Sequence, residues 1–339
     1  MNHEAIKDLL CAIGEAVCDK IHQSLSDQSS EELSAVFKEG DDDTIYKIDR
    51  DVEEILLPLI EERAEELGGV ILIAEGIGEG DEEFVLPRNS DPSKAALRII
   101  IDPIDGTRGI MYDKRAAFFL SGVAPNKGKE TSLQDIEVSV MTELPTSRSF
   151  LSDTLWAIKG KGAHGFTRNL MTREVKSRKI IPSKSKTLLG GFGQIARFFP
   201  PGRDILAKIE DEMIETLFPN APVGKAIIFE DQYISSGGQL YEMLVGHDRF
   251  VGEIRTGLYA MLAKVGKAPG HTCHPYDLCA HLIGTEAGMV ITNRTGAPLN
   301  APLDTQSAVD WIGYANTDIK NEIEATLQKL MDKYGVLNP

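Results

Sequence analysis

No run of about 18 or more apolar residues occurs anywhere in this 339-residue chain, so no transmembrane helix is expected. Cysteine is scarce. Cys11, Cys18, Cys273 and Cys279 are too few to make a disulfide scaffold in a chain of this length. Cys11 and Cys18 stand roughly two turns apart on a predicted helix, beyond disulfide reach. The first 25 residues lack the basic start and apolar core of a signal peptide. Together these absences make the cytoplasm the expected compartment. No internal repeat or low-complexity tract is visible. The glycines of 76–80 lack the order of a dinucleotide fingerprint, and no Walker lysine follows them.

Positive charge is also short. Acids number 52 against 36 Lys and Arg, for a net charge of −16. Nearly all of the imbalance lies between residues 31 and 83, where nineteen acids face four bases. Such a field repels nucleic acid and anionic membrane and attracts cations. Between 159 and 208 the balance reverses, with twelve Lys or Arg against Glu174 and Asp204. That stretch hints at an anion-facing surface, but without interleaved aromatics it does not read as a nucleic-acid site.

What is present is an alternation of helical and strand patterns. Ile6, Leu9, Leu10, Ile13, Val17 and Ile21 recur at helical spacing in the first segment. A second helix is predicted over about 49–67, stopped by Gly68-Gly69. Short apolar runs at 70–74, 97–101, 118–123 and 137–141 read as buried strands, and 154–159 as a strand leading into a turn. Residues 76–96 read as a long loop. In the second half, 187–191 and 289–292 are strand candidates, and 203–217, 236–245, 275–286 and about 320–334 are predicted helices. The alternation predicts an α/β layered fold.

The chemistry concentrates where the strand Ile99-Ile-Ile runs into Asp102-Pro-Ile-Asp105-Gly-Thr107. Two carboxylates, with the free Ile104 carbonyl between them, leave a sheet together. Pro103 stiffens the exit and Gly106 permits a tight turn. Hard divalent cations take several oxygen ligands in near-octahedral geometry, which this arrangement supplies. N–H groups at Gly106 and Thr107 could face a phosphate. An ordinary Asp-Pro/Asp-Gly turn at a strand end remains equally open on these residues alone. Two further acids point the same way. Glu75 follows a strand directly, and Asp277 opens a helix that ends in Glu286-Ala-Gly288, although an acid in a first helical turn is often only a cap.

With these segments in order, the chain resembles the inositol monophosphatase family, within the lithium-sensitive, magnesium-dependent phosphatases. Thr44-Ile-Tyr-Lys-Ile-Asp49 with Glu53, and the segment Ser235-Ser-Gly-Gly through Gly246-His-Asp-Arg, are similar to further family segments. The likeness runs from about residue 5 to 330. It implies a layered αβαβα sandwich of the sugar-phosphatase type. An N-terminal part, 1–182, would carry most metal ligands, and a C-terminal part, 183–339, would complete the cleft. It also implies roles. Glu75, Asp102 and the Ile104 carbonyl would hold one Mg²⁺. Asp102, Asp105 and Asp277 would hold a second, and Asp49 with Glu75 would contribute to a weaker third. Mn²⁺ would be a possible substitute. Thr107 and Glu75 would activate water, and Gly106 and Thr107 would bind the phosphate. The implied partner is a small phosphorylated metabolite, and the implied assembly a homodimer.

The chain departs from the family in places. Arg108-Gly-Ile replaces the usual Thr-Asn-Phe, Gly76 follows Glu75 so that Glu79 could be the ligand instead, and Tyr276 precedes Asp277. Arg108 is a candidate contact for a second anionic group on the substrate, because guanidinium pairs bidentately with phosphate or carboxylate. Alternative activities are a 3′-phosphoadenosine 5′-phosphate phosphatase, a fructose-1,6-bisphosphatase, or a non-catalytic relative that binds a phosphorylated ligand. A zinc site at 270–281, with three His and two Cys, is disfavoured by the Cys-x₅-Cys spacing.

Overall fold

The computed structural model describes residues 1–39, 44–74, 83–222 and 224–339. The apolar stripe of the first segment becomes α1, His3–Asp27, capped by Asn2, whose side chain accepts the Ala5 N–H. A single capped turn, α2 (Ser30–Leu33), and a short hairpin of β1 (Val36–Glu39) with β2 (Thr44–Tyr46) lead into α3, Lys47–Ala64. Gly68 and Gly69, both at positive φ, reverse the chain into the sheet.

A large sheet follows, built from β3 (Val70–Ala74), β4 (Phe84–Leu86), β5 (Leu97–Asp105), β6 (Ala117–Pro125), β7 (Val138–Leu144), β8 (Leu151–Ile158), β9 (Ala163–Asn169) and β10 (Val175–Ser177). Its order is β10-β9-β8-β7-β6-β5-β3-β4, and β3 with β5 is its parallel pair. Every residue of β5 is buried, because the strand is covered on both faces. A short helix, α4 (Thr107–Met111), leaves its end.

The rest of the chain forms β11 (Phe192–Ile195), α5 (Arg203–Leu217), α6 (Ser236–Leu244), β12 (Asp248–Glu253), α7 (Arg255–Ala263), α8 (His281–Glu286), β13 (Val290–Thr292), β14 (Trp311–Tyr314) and α9 (Thr317–Lys333). The second sheet runs β11-β12-β14-β13.

Three buried clusters stack these pieces. Ile99, Ile101, Phe119 and Val140 pack against α1 and α3 on one face of the large sheet. Ile100, Phe118, Leu120 and Met141 on the other face meet α6 and α8, which also lie against Val251, Ile291 and Trp311 of the second sheet. Phe250, Ile312 and Tyr314 on its far side meet α5 and α9. The layers are therefore α, β, α, β, α, as the resemblance implied.

Several boundaries differ from the reading of the sequence. Residues 187–191 are not a strand; the strand begins at Phe192, after Gly190 turns at positive φ. The expected loop contains β4, antiparallel to β3. The expected helix over 275–286 is a 3₁₀ turn, Tyr276–Leu278, followed by α8. Among the described residues, no helix is long and apolar enough to cross a membrane.

Candidate metal centre and active site

Successive side chains of a strand point to opposite faces, so acids three residues apart should diverge. Here they do not. Asp102 pairs with Leu120 and Asp105 with Phe118, residues only two apart on β6. The extra residue on β5 is a β-bulge at Pro103-Ile104, and it turns both carboxylates to the face occupied by Phe118 and Leu120. The bulge is held locally. The Ile104 N–H donates to Asp102 Oδ1 at 3.0 Å, and the Thr107 hydroxyl donates to the Ile104 carbonyl at 2.8 Å. Gly106 takes φ 98°, and a Cβ there would stand 3.1 Å from Ser235 Cβ.

The start of α6 meets Asp105. Its N-cap Ser235 donates its hydroxyl to Asp105 Oδ2 at 2.8 Å, and the Gly237 N–H donates to the same oxygen. A Cβ on Gly237 would lie 2.7 Å from that oxygen, so this close approach requires glycine. Burial pushes the Asp105 carboxyl up to about 6, and the donors from α6 oppose the rise.

Asp277 arrives from the other end of the chain. Its Oδ2 accepts the His274 N–H at 2.6 Å. Burial first, and then the charge of Asp105, hold its carboxyl well above the usual range. The segment docks on the large sheet where Gly122 lets the Cys279 carbonyl approach; a Cβ there would be 2.7 Å from that oxygen. The Ser139 hydroxyl donates to the same carbonyl at 2.7 Å.

Among the described residues, one carboxylate oxygen each from Asp102, Asp105 and Asp277 lie within 4.8 Å of one another. Asp102 and Asp105 are buried and Asp277 is partly exposed. Three carboxylates this close repel one another unless protonated or neutralised by a cation. The donor set is all oxygen, which fits a hard divalent ion.

Glu75 and Glu79 lie outside the described residues, as do the side chains of Asp49 and Glu53; Asp49 itself falls in the first turn of α3. Arg108 is exposed on α4, next to Thr107. Arg115 is engaged elsewhere, paired with Asp231 and lying over the Tyr233 ring. Much of the basic stretch 159–208 is paired with acids. Lys161, Arg168 and Arg173 meet Glu4, Glu15 and Asp19 of α1, Arg178 meets Asp153, and Arg197 meets Glu210 and Glu230. The hint of an anion-facing surface there is not supported by this pairing. All four cysteines are free and buried. Ser235, which carries Asp105, had no assigned role from the sequence; its only signal was its place in a family-like segment.

Residues 3–115 match the inositol monophosphatase family. The matched stretch runs from α1 through Asp102–Thr107, so the resemblance drawn from the motif is borne out. A fructose-1,6-bisphosphatase/inositol-1-monophosphatase of Methanothermobacter thermautotrophicus is 23% identical over 304 residues, 88% of this chain and 89% of its own. The fold is shared with solved structures of the inositol monophosphatase and fructose-bisphosphatase type. Leishmania major fructose-1,6-bisphosphatase superposes with a TM-score of 0.65 at 12% identity, covering 96% of this chain and 94% of its own. The extragenic suppressor protein suhB of Bartonella henselae gives a TM-score of 0.63 at 17% identity, covering 96% and 99%.

Proposed function

We propose that the chain hydrolyses a small phosphate monoester, of the inositol monophosphate or sugar phosphate class, with Mg²⁺ as cofactor. The observation that carries this reading is the meeting of Asp102, Asp105 and Asp277 within 4.8 Å, two from a bulged strand end and one from a segment over 170 residues away.

In this reading Asp102, Asp105 and Asp277 hold metal together with the Ile104 carbonyl and Glu75, and Asp49 contributes to a weaker third position. Bound divalent ions lower the pKa of water and neutralise charge on the transferring phosphoryl group and leaving oxygen. The chain's own part is to fix that geometry. Ser235 and Gly237 hold Asp105, the His274 N–H holds Asp277, and the bulge keeps Asp102 beside them. Thr107, with Glu75, orients the attacking water, and the N–H groups of Gly106 and Thr107 receive the phosphate. Arg108 would meet a second anionic group on the substrate. The cleft lies between an N-terminal part, 1–182, and a C-terminal part, 183–339. Mn²⁺ as a substitute, inhibition by Li⁺ and a homodimer belong to the same reading.

The test is phosphate release from a panel of inositol phosphates, sugar phosphates, fructose-1,6-bisphosphate and adenosine bisphosphates. Activity is expected to need Mg²⁺, to vanish with chelator and to return with excess Mg²⁺. Full activity in chelator overturns the mechanism, and Mg²⁺ binding without turnover of any ester favours a binding protein.

A further inference from the structure

Asp277 is the one acid of the three that the large sheet does not carry. Its position depends on the segment 271–277, and a buried ion pair holds that segment. β12 ends at Glu253 and α7 begins at Arg255, and their side chains are 1% and 4% exposed. Arg255 Nε lies 2.8 Å from both Glu253 oxygens, Nη2 lies 2.6 Å from Oε2, and the Arg255 backbone N–H also donates to Oε1 at 3.0 Å. The remaining arm, Nη1, donates to the His271 carbonyl at 3.0 Å. The guanidinium is stacked over Phe198 and Phe199, at 4.5 and 5.0 Å, and Phe199 meets the His271 ring edge-on. Two residues on, the Cys273 carbonyl accepts the Val309 N–H at 2.8 Å, and the next N–H is the one that reaches Asp277.

Stability alone does not account for this pair. Desolvating two charges costs about as much as their attraction returns, and apolar replacements of similar volume are often neutral or stabilising. A guanidinium does something an apolar side chain cannot. Once Glu253 holds two nitrogens of the planar fork, the third, Nη1, has its direction set. Here that direction ends on the segment carrying Asp277. We propose that Arg255, locked by Glu253, is a positioning residue that sets where Asp277 stands relative to Asp102 and Asp105, and so sets the affinity of the cluster for a divalent cation. The inference rests on the reading of that cluster as a metal site.

The test is Mn²⁺ binding to the full chain, followed by the electron paramagnetic resonance signal of free Mn²⁺, with melting in chelator measured alongside. Three variants are compared: Arg255→Lys, the double variant Glu253→Leu/Arg255→Met, and Asp277→Asn. The double variant is expected to melt near the parent in chelator yet bind Mn²⁺ about 10- to 100-fold more weakly, the usual cost of losing a group that orients a ligand. Arg255→Lys keeps the charge, but one ammonium cannot hold Glu253 and the His271 carbonyl together. Its Mn²⁺ affinity is expected to fall in the same direction. Parental affinity in Arg255→Lys means that charge alone suffices, and overturns the positioning role; parental affinity in a folded double variant does the same. If the double variant does not fold, the lysine variant decides. Asp277→Asn separates the two levels. If it too binds Mn²⁺ like the parent, the metal assignment is what fails.

Discussion

The Ser235 hydroxyl and the Asp105 carboxylate meet at 2.8 Å across 130 residues of chain. The same Ser235 oxygen accepts the Gly238 N–H at 2.8 Å and so caps α6. Ser235→Ala removes a hydrogen bond to a charged group and a helix cap together. A loss of about 2 kcal/mol is expected in urea unfolding. Mg²⁺ affinity should fall as well, since Asp105 loses a donor that favours its charged form. Unchanged stability and unchanged Mg²⁺ affinity would show that this contact is incidental.

Asp277→Asn separates stability from function. In chelator it removes a carboxylate that burial and Asp105 both disfavour, so the melting temperature should rise slightly. Excess Mg²⁺ should then raise the melting temperature of the parent but not of the variant. Turnover should fall by roughly two orders of magnitude or more, as expected on deleting a charge that stabilises the transition state. A fully active Asp277→Asn enzyme would remove Asp277 from the site.

Gly122→Ala tests the docking of the two sheets through the 273–279 segment. A methyl group there meets the Cys279 carbonyl oxygen at 2.7 Å and Ile136 Cδ1 at 2.8 Å, and the first of these is backbone. The expected cost is on the order of 3 kcal/mol. Activity should drop in the protein that still folds, because the segment carrying Asp277 must retreat. Calorimetry and Mg²⁺ titration check the two halves of this prediction.

His281 predicts a pH response. Its ring is buried, with Nδ1 3.0 Å from the Leu278 carbonyl, and burial pulls its pKa down from 6.5 to about 4. The folded pKa is depressed, so its contribution is fully present above pH 6.5 and is lost as pH falls from 6.5 through 4. The loss is on the order of 3 kcal/mol. Glu143 and Glu210, both pushed up to about 7 by burial, act in the opposite sense as pH rises toward neutrality. The clean measurement is therefore the stability difference between the parent and His281→Gln, which should shrink as pH drops from 7 to 4. A constant difference would mean that His281 does not titrate in this range.

Much of the fold was legible because local pattern and burial agree. Val70–Ala74 and Arg203–Leu217 occupy the residues their patterns predicted. Failures came where distant contacts decide. The stretch 275–286 reads as one helix, yet the Cys279 carbonyl accepts the Ser139 hydroxyl from another strand, and the helix restarts at His281. β9 was missed because it mixes Gly, Thr, Arg and Asn. The pair Asp102 and Asp105 was readable as a motif, but not the bulge that puts both on one face. The links Ser235 to Asp105 and Arg255 to His271 leave no local pattern at all.

The bulge at Pro103-Ile104 has a mechanical consequence. The bulge is bracketed by two strand pairs, Asp102 with Leu120 before it and Asp105 with Phe118 after it, which hold its shape. The wall formed by Asp102 and Asp105 is a rigid template, and ion capture should leave it where it is. Adjustment during a catalytic cycle then falls to the opposite wall, the 271–277 segment. Amide exchange should show that asymmetry: slow at Ile100–Asp102, unaffected by Mg²⁺, and Mg²⁺-dependent at residues 271–277.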